Sequence, residues 1–175
     1  MIDFSRNHFE LLGLRPRFRI DDVALERAYR ALQLEVHPDK HASAADADRR
    51  LALQASARVN EAHDTLRDPV ARAQYLLSLH GIAPDERDTA LPIDFLERAL
   101  ERREAVADAA AAADERTLET MLNEVRAECR VREHEIAELL DVEQAWEAAR
   151  QRVRELRFLT KLADDIDFAI AEAEA

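Results

Sequence analysis

His37, Pro38, Asp39 and Lys40 form the most informative stretch of this 175-residue chain, and His41 follows it directly. Two imidazoles and a carboxylate at alternating positions could bind a metal ion or act as an acid and base pair. Three features argue against both: Pro38 breaks regular strand geometry, no further strong ligand is apparent in the sequence, and no nucleophile or second carboxylate is placed for hydrolysis. A metal hydrolase is therefore a distant alternative.

The elements around this stretch predict that it lies in a loop between two helices. Pro38 has no N–H and restricts His37 away from helical dihedrals, so a helix starting near Asp22 must end around Val36. Asp21 is the expected N-cap of that helix. Its apolar residues recur at helical spacing: Leu25, Ala28, Tyr29, Leu32 and Val36. Taken alone, the tripeptide His37-Pro38-Asp39 could equally be a simple helix-ending turn.

The stretch and its surroundings resemble a J-domain, the module by which co-chaperones stimulate the ATPase of DnaK-type chaperones. Residues 7–14 resemble the opening of that domain, and residues 59–69 resemble the end of its third helix. Residues 72–81 and 156–162 are similar to HscB-type J-proteins, which serve iron-sulfur cluster assembly. The likeness spans nearly the whole chain.

The resemblance implies a chaperone-binding role for the loop and for basic residues on the helix before it. Asp39 would make a charge-assisted bond to an arginine of the chaperone, Pro38 would hold the turn and His37 would support the loop. The chaperone-binding set is His37, Pro38, Asp39, Lys40, Arg27 and Arg30. An ordinary solvated face is the alternative for the two arginines, because Glu26 and Glu35 dilute the positive stripe.

Composition predicts an all-α protein of two domains. The chain has only two Gly and five Pro, with many helix-favouring residues. Helices are expected at 4–12, 22–36, 44–67 and 69–80, and again at 93–113, 115–139 and 142–173. We expect an N-terminal J-domain over 1–82, in which an antiparallel helical hairpin has flanking helices. A linker at 83–92, with two prolines, separates it from a C-terminal three-helix bundle over 93–175.

Charge and cysteine content exclude several kinds of function. Residues 1–82 carry 12 basic and 12 acidic side chains, whereas residues 83–175 carry 13 basic and 25 acidic ones, which makes the net charge −12. An acidic second half argues against nucleic acid as a partner. Cys129 is the only cysteine, so no internal disulfide or thiolate cluster can form, and no cofactor is expected. Without a signal peptide or a membrane-spanning run, the simplest location is the cytoplasm.

Two helices of the second half show apolar side chains beyond those that one core requires. At about 100° per residue, Leu96, Leu100 and Ala107 form a stripe beside the core stripe of the helix that starts at 93. On the last helix, Phe158 and Leu162 are expected opposite the core stripe, which is formed by Trp146, Ala149, Val153 and Leu156. Exposed apolar patches framed by charge often mark partner sites. Burial of both extra stripes by domain packing is the alternative.

The HscB resemblance implies that these extra stripes bind the scaffold protein IscU. The residues matching its motif are Leu96, Leu100, Glu101, Arg103, Glu104 and Phe158. Glu97 departs from the pattern, because relatives have an apolar residue there, and this change could weaken or retune scaffold binding.

Together these features predict a non-enzymatic co-chaperone that stimulates an HscA/DnaK-type ATPase, delivers IscU to it and promotes maturation of iron-sulfur proteins. Partners of other classes, nucleic acid and membrane, are not expected. The nearest alternative is a general J-domain co-chaperone for unfolded clients, although the chain has no glycine/phenylalanine-rich linker and no paired CxxC modules. A purely structural helical adaptor is a further alternative.

Overall fold

The computed structural model describes residues 3–36, 46–82 and 90–173. The predicted loop residues His37 to His41 and most of the predicted linker, 83–89, lie outside these ranges. Every regular element in the described ranges is helical, which confirms the all-α class. The chain divides into two compact units, Met1–Gly81 and Ile82–Ala175. The domain limits 1–82 and 93–175 stay a prediction.

The described residues of the first unit, 3–36 and 46–81, form four helices: α1 His8–Leu11, α2 Asp22–Val36, α3 Asp46–Arg67 and α4 Pro69–Leu79. The prediction that α1 starts at residue 4 is wrong. Asn7 caps the helix in a reciprocal pair, because its Oδ1 accepts from Glu10 N at 2.9 Å while its own N–H donates to the Glu10 carboxylate at 3.0 Å. Phe4, which precedes the helix, is 43% exposed.

Local capping chemistry sets the limits of α2 and α4 as the sequence predicts. The carboxylate of Asp21 accepts from the backbone N–H groups of Val23 at 2.9 Å and Ala24 at 3.2 Å. The carboxylate of Asp68 caps α4, whose first residue is Pro69. Gly81, directly after the last turn of α4, has a φ of +81°, which a glycine adopts without the steric cost of a side chain.

Helices α2 and α3 form an antiparallel hairpin. Val36, near the end of α2, packs against Ala55 and Val59 of α3. Near the start of α2, Glu26 contacts His63, which lies further along α3. Contacts that move down one helix as they move up the other require antiparallel packing. The largest fully buried side chains of this unit are Phe9, Leu25, Val59 and Leu66.

Residues 90–173 of the second unit form three long helices: α5 Ile93–Ala111, α6 Glu115–Glu138 and α7 Trp146–Ala173. Their shared core is formed by Phe95, Ala99, Val106, Ala109, Leu118, Leu122, Val125, Leu159, Leu162, Ala163 and Ile166. The turn between α5 and α6 is short, and Asp114 caps α6 by accepting from Thr117 N at 3.1 Å. This is the three-helix bundle that the sequence predicts.

The start of α7 was predicted wrongly. Residues Leu139–Glu143, assigned in part to a helix starting at 142, instead continue α6 as one π-helical turn. Gln144 then adopts a left-handed conformation with a φ of 56°, and Ala145 N donates to Leu139 O at 2.9 Å. The chain reverses direction at this point, so α7 begins only at Trp146.

The core stripe of α7 continues further than the sequence periodicity predicts. Ala149, Val153 and Leu156 are buried as expected. The stripe then passes through Leu159, Leu162 and Ile166, all at most 1% exposed. The expectation that Leu162 lies on an off-core face is therefore wrong. Its position was inferred from the N-terminal part of the stripe alone, and the buried side shifts around a helix this long.

Candidate partner-binding surfaces

The first surface is the outer face of α2, on which both predicted arginines lie. Arg27 is exposed, and the Arg30 side chain is 79% exposed with its Nε 4.0 Å from Glu26 Oε2. At that distance and exposure the ion pair contributes little, so both guanidinium groups are accessible to a partner. The loop residues expected to act with them, His37 to Lys40, lie outside the described residues.

A polar network beneath this face ties α2 to α3. His63, only 5% exposed, places Nε2 2.8 Å from Glu26 Oε1, and its ring stacks on Tyr29 at 3.9 Å between centroids. The Tyr29 hydroxyl donates to Asn60 Oδ1 at 3.1 Å, and Gln33 also donates to Asn60. The hydrogen bond from His63 lowers the pKa of the Glu26 carboxyl, which keeps it ionised.

This network was not predicted from the sequence, which only placed Tyr29 on the core side of α2. The signal was present, since Glu26, Tyr29 and Gln33 recur at helical spacing, as do Asn60 and His63. Such a network fixes the register of α2 on α3. It thereby sets where the exposed arginines stand along the hairpin.

The second surface is the exposed side of α5. Its core stripe is buried, with Phe95 4% and Ala99 6% exposed. The second stripe that the sequence predicts faces solvent, since Leu96 is 45% and Leu100 60% exposed and Ala107 is also exposed. Exposed leucines at i and i+4 give α5 an apolar surface that the three-helix core does not use.

Phe158 lies at the seam between α7 and α5 and is half-buried. Its ring meets Phe95 edge-on, with centroids 5.6 Å apart at 82°, and it packs against the bundle core. The Arg103 guanidinium lies 5.1 Å from the ring centroid, in cation–π range, and its Nη2 is 4.0 Å from Asp165 Oδ2. The separate apolar face predicted on α7 is therefore absent here, because Leu162 is buried and Phe158 belongs to the seam.

The predicted scaffold-binding residues thus fall into one neighbourhood on the second unit. Leu96, Leu100 and Arg103 share one side of α5, Glu101 and Glu104 are exposed next to them, and Phe158 lies under Arg103. Sequence reasoning missed Ile93, which is 76% exposed on the same side. Its spacing of three residues before Leu96 was the available signal.

The described residues offer little chemistry for a metal or covalent site. Among residues 3–36, 46–82 and 90–173, no group of three or more His, Cys, Asp or Glu side chains could hold a metal ion. Cys129 is half-buried, and burial is the main cause that raises the pKa of its thiol, which makes it a poor nucleophile. Of the helices in these ranges, none combines the length and hydropathy needed to cross a bilayer.

Comparison with known proteins assigns a family to each unit. A family model described as "DnaJ domain" matches residues 7–75, and one described as "HSCB C-terminal oligomerisation domain" matches residues 91–167. "Co-chaperone protein HscB homolog" of Burkholderia vietnamiensis is 43% identical over 175 residues, covering 99% of both chains. The protein of that name from Ralstonia nicotianae is 47% identical over 167 residues, covering 95% of both.

Two solved structures share the fold. The chaperone HscB from Vibrio cholerae has a TM-score of 0.88 at 36% identity and covers 96% of this chain and 99% of its own. The human co-chaperone protein HscB has a TM-score of 0.87 at 27% identity and covers 95% of this chain and 83% of its own. The likeness extends through both units of the chain.

Proposed function

Because this chain belongs to the HscB family of J-domain co-chaperones, we propose that it stimulates an HscA/DnaK-type ATPase and delivers the iron-sulfur scaffold protein IscU to it. Promotion of iron-sulfur protein maturation follows from that delivery. The chain is then a coupling protein and not an enzyme, because its contacts bias the conformational equilibrium of the chaperone. The proposed place of action is the cytoplasm.

One observation carries the scaffold-binding part of the proposal: α5 exposes Leu96 and Leu100 beside a complete core. Burial of α5 is already provided by Phe95, Ala99 and Val106. Two exposed leucines in adjacent turns therefore contribute little to the bundle core. A charged rim that includes Arg103 and Glu104 frames them, as at a protein docking site with an apolar centre and a polar border.

The chaperone-binding part rests on the first unit. Arg27 and Arg30 are exposed on α2, where they can present positive charge to the chaperone ATPase. The network around Glu26 and His63 holds that helix in register on α3. We propose that Asp39, which follows α2 in the sequence, supplies the decisive charge-assisted bond to a chaperone arginine. His37, Pro38 and Lys40 complete this contact.

We also propose that the two units are functional domains, a J-domain over 1–82 and a scaffold-binding domain over 93–175, joined by 83–92. The rival, a general J-protein for unfolded clients, fits the chain less well. Its second half has a single cysteine and therefore no paired CxxC modules, and the exposed apolar residues that lie together at helical spacing are those on α5.

Leu96→Ala and Leu100→Ala are each expected to weaken IscU binding about tenfold or more, because burying a leucine on binding is worth roughly 1.5–3 kcal/mol. Neither change should lower thermal stability much, since both side chains face solvent in the free protein. Isothermal titration calorimetry with purified IscU and thermal melts on the same samples measure both effects.

Val153→Ala provides the matched control, because Val153 is 2% exposed and its truncation leaves a cavity. It should lower the melting temperature while leaving the affinity of the folded protein unchanged. Phe158→Ala should lower the melting temperature and also weaken IscU binding, since the ring packs on Phe95 and borders the exposed leucines of α5. If both leucine variants bind IscU as tightly as the parent, α5 is not the docking helix.

A further inference from the structure

One oxygen of the Glu26 carboxylate, at the border between α2 and α3, is bound by a buried histidine. His63 is only 5% exposed and places Nε2 2.8 Å from Glu26 Oε1. Stacking on Tyr29, at 3.9 Å between ring centroids, fixes the orientation of the imidazole. The hydrogen bond from His63 is the main cause that lowers the pKa of the Glu26 carboxyl, so His63 is the dominant partner of this carboxylate.

Arg30 is the other partner that α2 offers to Glu26. A glutamate four positions before an arginine has the favourable order for an ion pair along a helix. The structure does not close that pair, since Arg30 Nε lies 4.0 Å from Glu26 Oε2 and the Arg30 side chain is 79% exposed. The carboxylate therefore makes its short contact with α3, and the guanidinium of Arg30 keeps its charge and its N–H donors accessible.

We propose that His63 is a positioning residue for chaperone binding, which holds the Glu26 carboxylate on α3 and thereby leaves Arg30 available to a carboxylate on the surface of the chaperone ATPase. This inference rests on the proposed chaperone-binding role of α2. It gives His63 an electrostatic role in addition to its place in the network that fixes the helix register. Glu26 is then a competitor of the chaperone for Arg30, and His63 weakens that competition.

The charged groups around this contact favour such a competition. Arg67, one turn after His63 on α3, also lowers the pKa of Glu26, so a carboxylate released from His63 has two nearby cations, Arg30 and Arg67. Pairing with either one reduces the positive charge of the hairpin. Asp64 Oδ1 lies 3.5 Å from His63 Nδ1, but the Asp64 side chain is 78% exposed and its charge is screened by solvent. Glu26 is therefore the carboxylate that His63 controls.

The experiment measures the affinity and the association rate of the full chain for a purified, ATP-bound HscA/DnaK-type chaperone, at about 20 mM and about 500 mM salt. His63→Phe keeps an aromatic ring beside Tyr29 and removes both nitrogens. It should weaken binding about threefold at low salt, through slower association, and have little effect at high salt. Circular dichroism and thermal melts check that the variant is folded.

Glu26→Gln tests the same competition without changing the buried ring. It removes the competing charge and keeps an oxygen that can accept from His63, so it should tighten binding about twofold at low salt. Glu61→Gln is the matched control, because it removes an exposed carboxylate that pairs with Arg58 on α3. It should bind like the parent.

The double variant His63→Phe with Glu26→Gln separates an electrostatic role of His63 from a structural one. If His63 acts by holding the Glu26 carboxylate, removing that carboxylate should restore at least the parent affinity. If His63 is needed only for packing, the double variant should bind as weakly as His63→Phe, and the proposal is wrong.

The proposal is also wrong if a folded His63→Phe, or Glu26→Gln, binds like the parent at low salt. Arg30→Ala, measured alongside, separates this failure from failure of the proposed function, because it should weaken binding at low salt. If Arg30→Ala weakens binding while His63→Phe and Glu26→Gln leave it unchanged, only the role of His63 is wrong. If Arg30→Ala also binds like the parent, the outer face of α2 is not the chaperone-binding surface.

Discussion

Asp39→Ala is expected to reduce chaperone ATPase turnover to the unstimulated rate, while the protein keeps its helical fold. The carboxylate is the group proposed to pair with a chaperone arginine, and alanine leaves that arginine without its charged partner. His37→Gln should have the same effect, because His37 belongs to the same proposed chaperone contact. Single-turnover ATPase assays measure the stimulation, and circular dichroism checks the helix content.

Asp48→Ala provides the control for the loss of one carboxylate. Asp48 is exposed in the first turn of α3, nine positions after Asp39, and its removal should leave stimulation at the parent level. If Asp39→Ala or His37→Gln stimulates the ATPase as strongly as the parent, with unchanged circular dichroism, then the loop is not the chaperone contact and the proposed mechanism of the first unit is wrong.

Glu155→Ala is expected to destabilise the second unit by about 1–3 kcal/mol, the usual cost of leaving buried hydrogen-bonding groups without their partner. Glu155 is 1% exposed and lies between two arginines. Arg152 Nη1 donates to its two carboxylate oxygens at 2.8 and 2.9 Å, and Arg132 Nε lies 2.8 Å from Oε2. Without the carboxylate, the largely buried Arg132 loses its closest counter-charge.

The loss of stability should extend beyond α7, because Arg132 also contacts Glu128, which pairs with Arg102 on α5. Chemical denaturation of the full chain, followed by circular dichroism, measures the change. Glu147→Ala, which removes an exposed carboxylate 3.6 Å from Arg150 on the same helix, should cost at most about 1 kcal/mol. Equal unfolding free energies for these two variants would show that the buried pair contributes no more than a surface one.

Local chemistry explains why most helix limits could be read from the sequence. Asp21, Asp68 and Asp114 each accept from backbone N–H groups in the first turn that follows them, and this depends only on neighbouring residues. The two stripes of α5 were predictable for a similar reason, because helical spacing alone decides which side chains share a side. The all-α class followed from the same local preferences.

What the sequence did not predict depends on contacts between distant segments. The π-helical turn at Leu139–Glu143 preserves the burial of Leu140 while the chain reverses direction, and no local pattern distinguishes it from an α-helix. A glutamate at position 155 reads as a solvated residue until Arg132, which belongs to a different helix, is placed beside it. Phe158 likewise reads as an off-core residue until α5 brings Phe95 and Arg103 against it.

Single-turnover ATPase measurements with both partners test most directly whether this chain couples a chaperone ATPase to a scaffold protein. We expect the chain alone to stimulate hydrolysis and IscU to increase that stimulation further. With Leu100→Ala, which is exposed on α5, stimulation by the chain alone should persist while the increase caused by IscU is largely lost. A rate with chain and IscU together that is no higher than with the chain alone would contradict the coupling of the two partners.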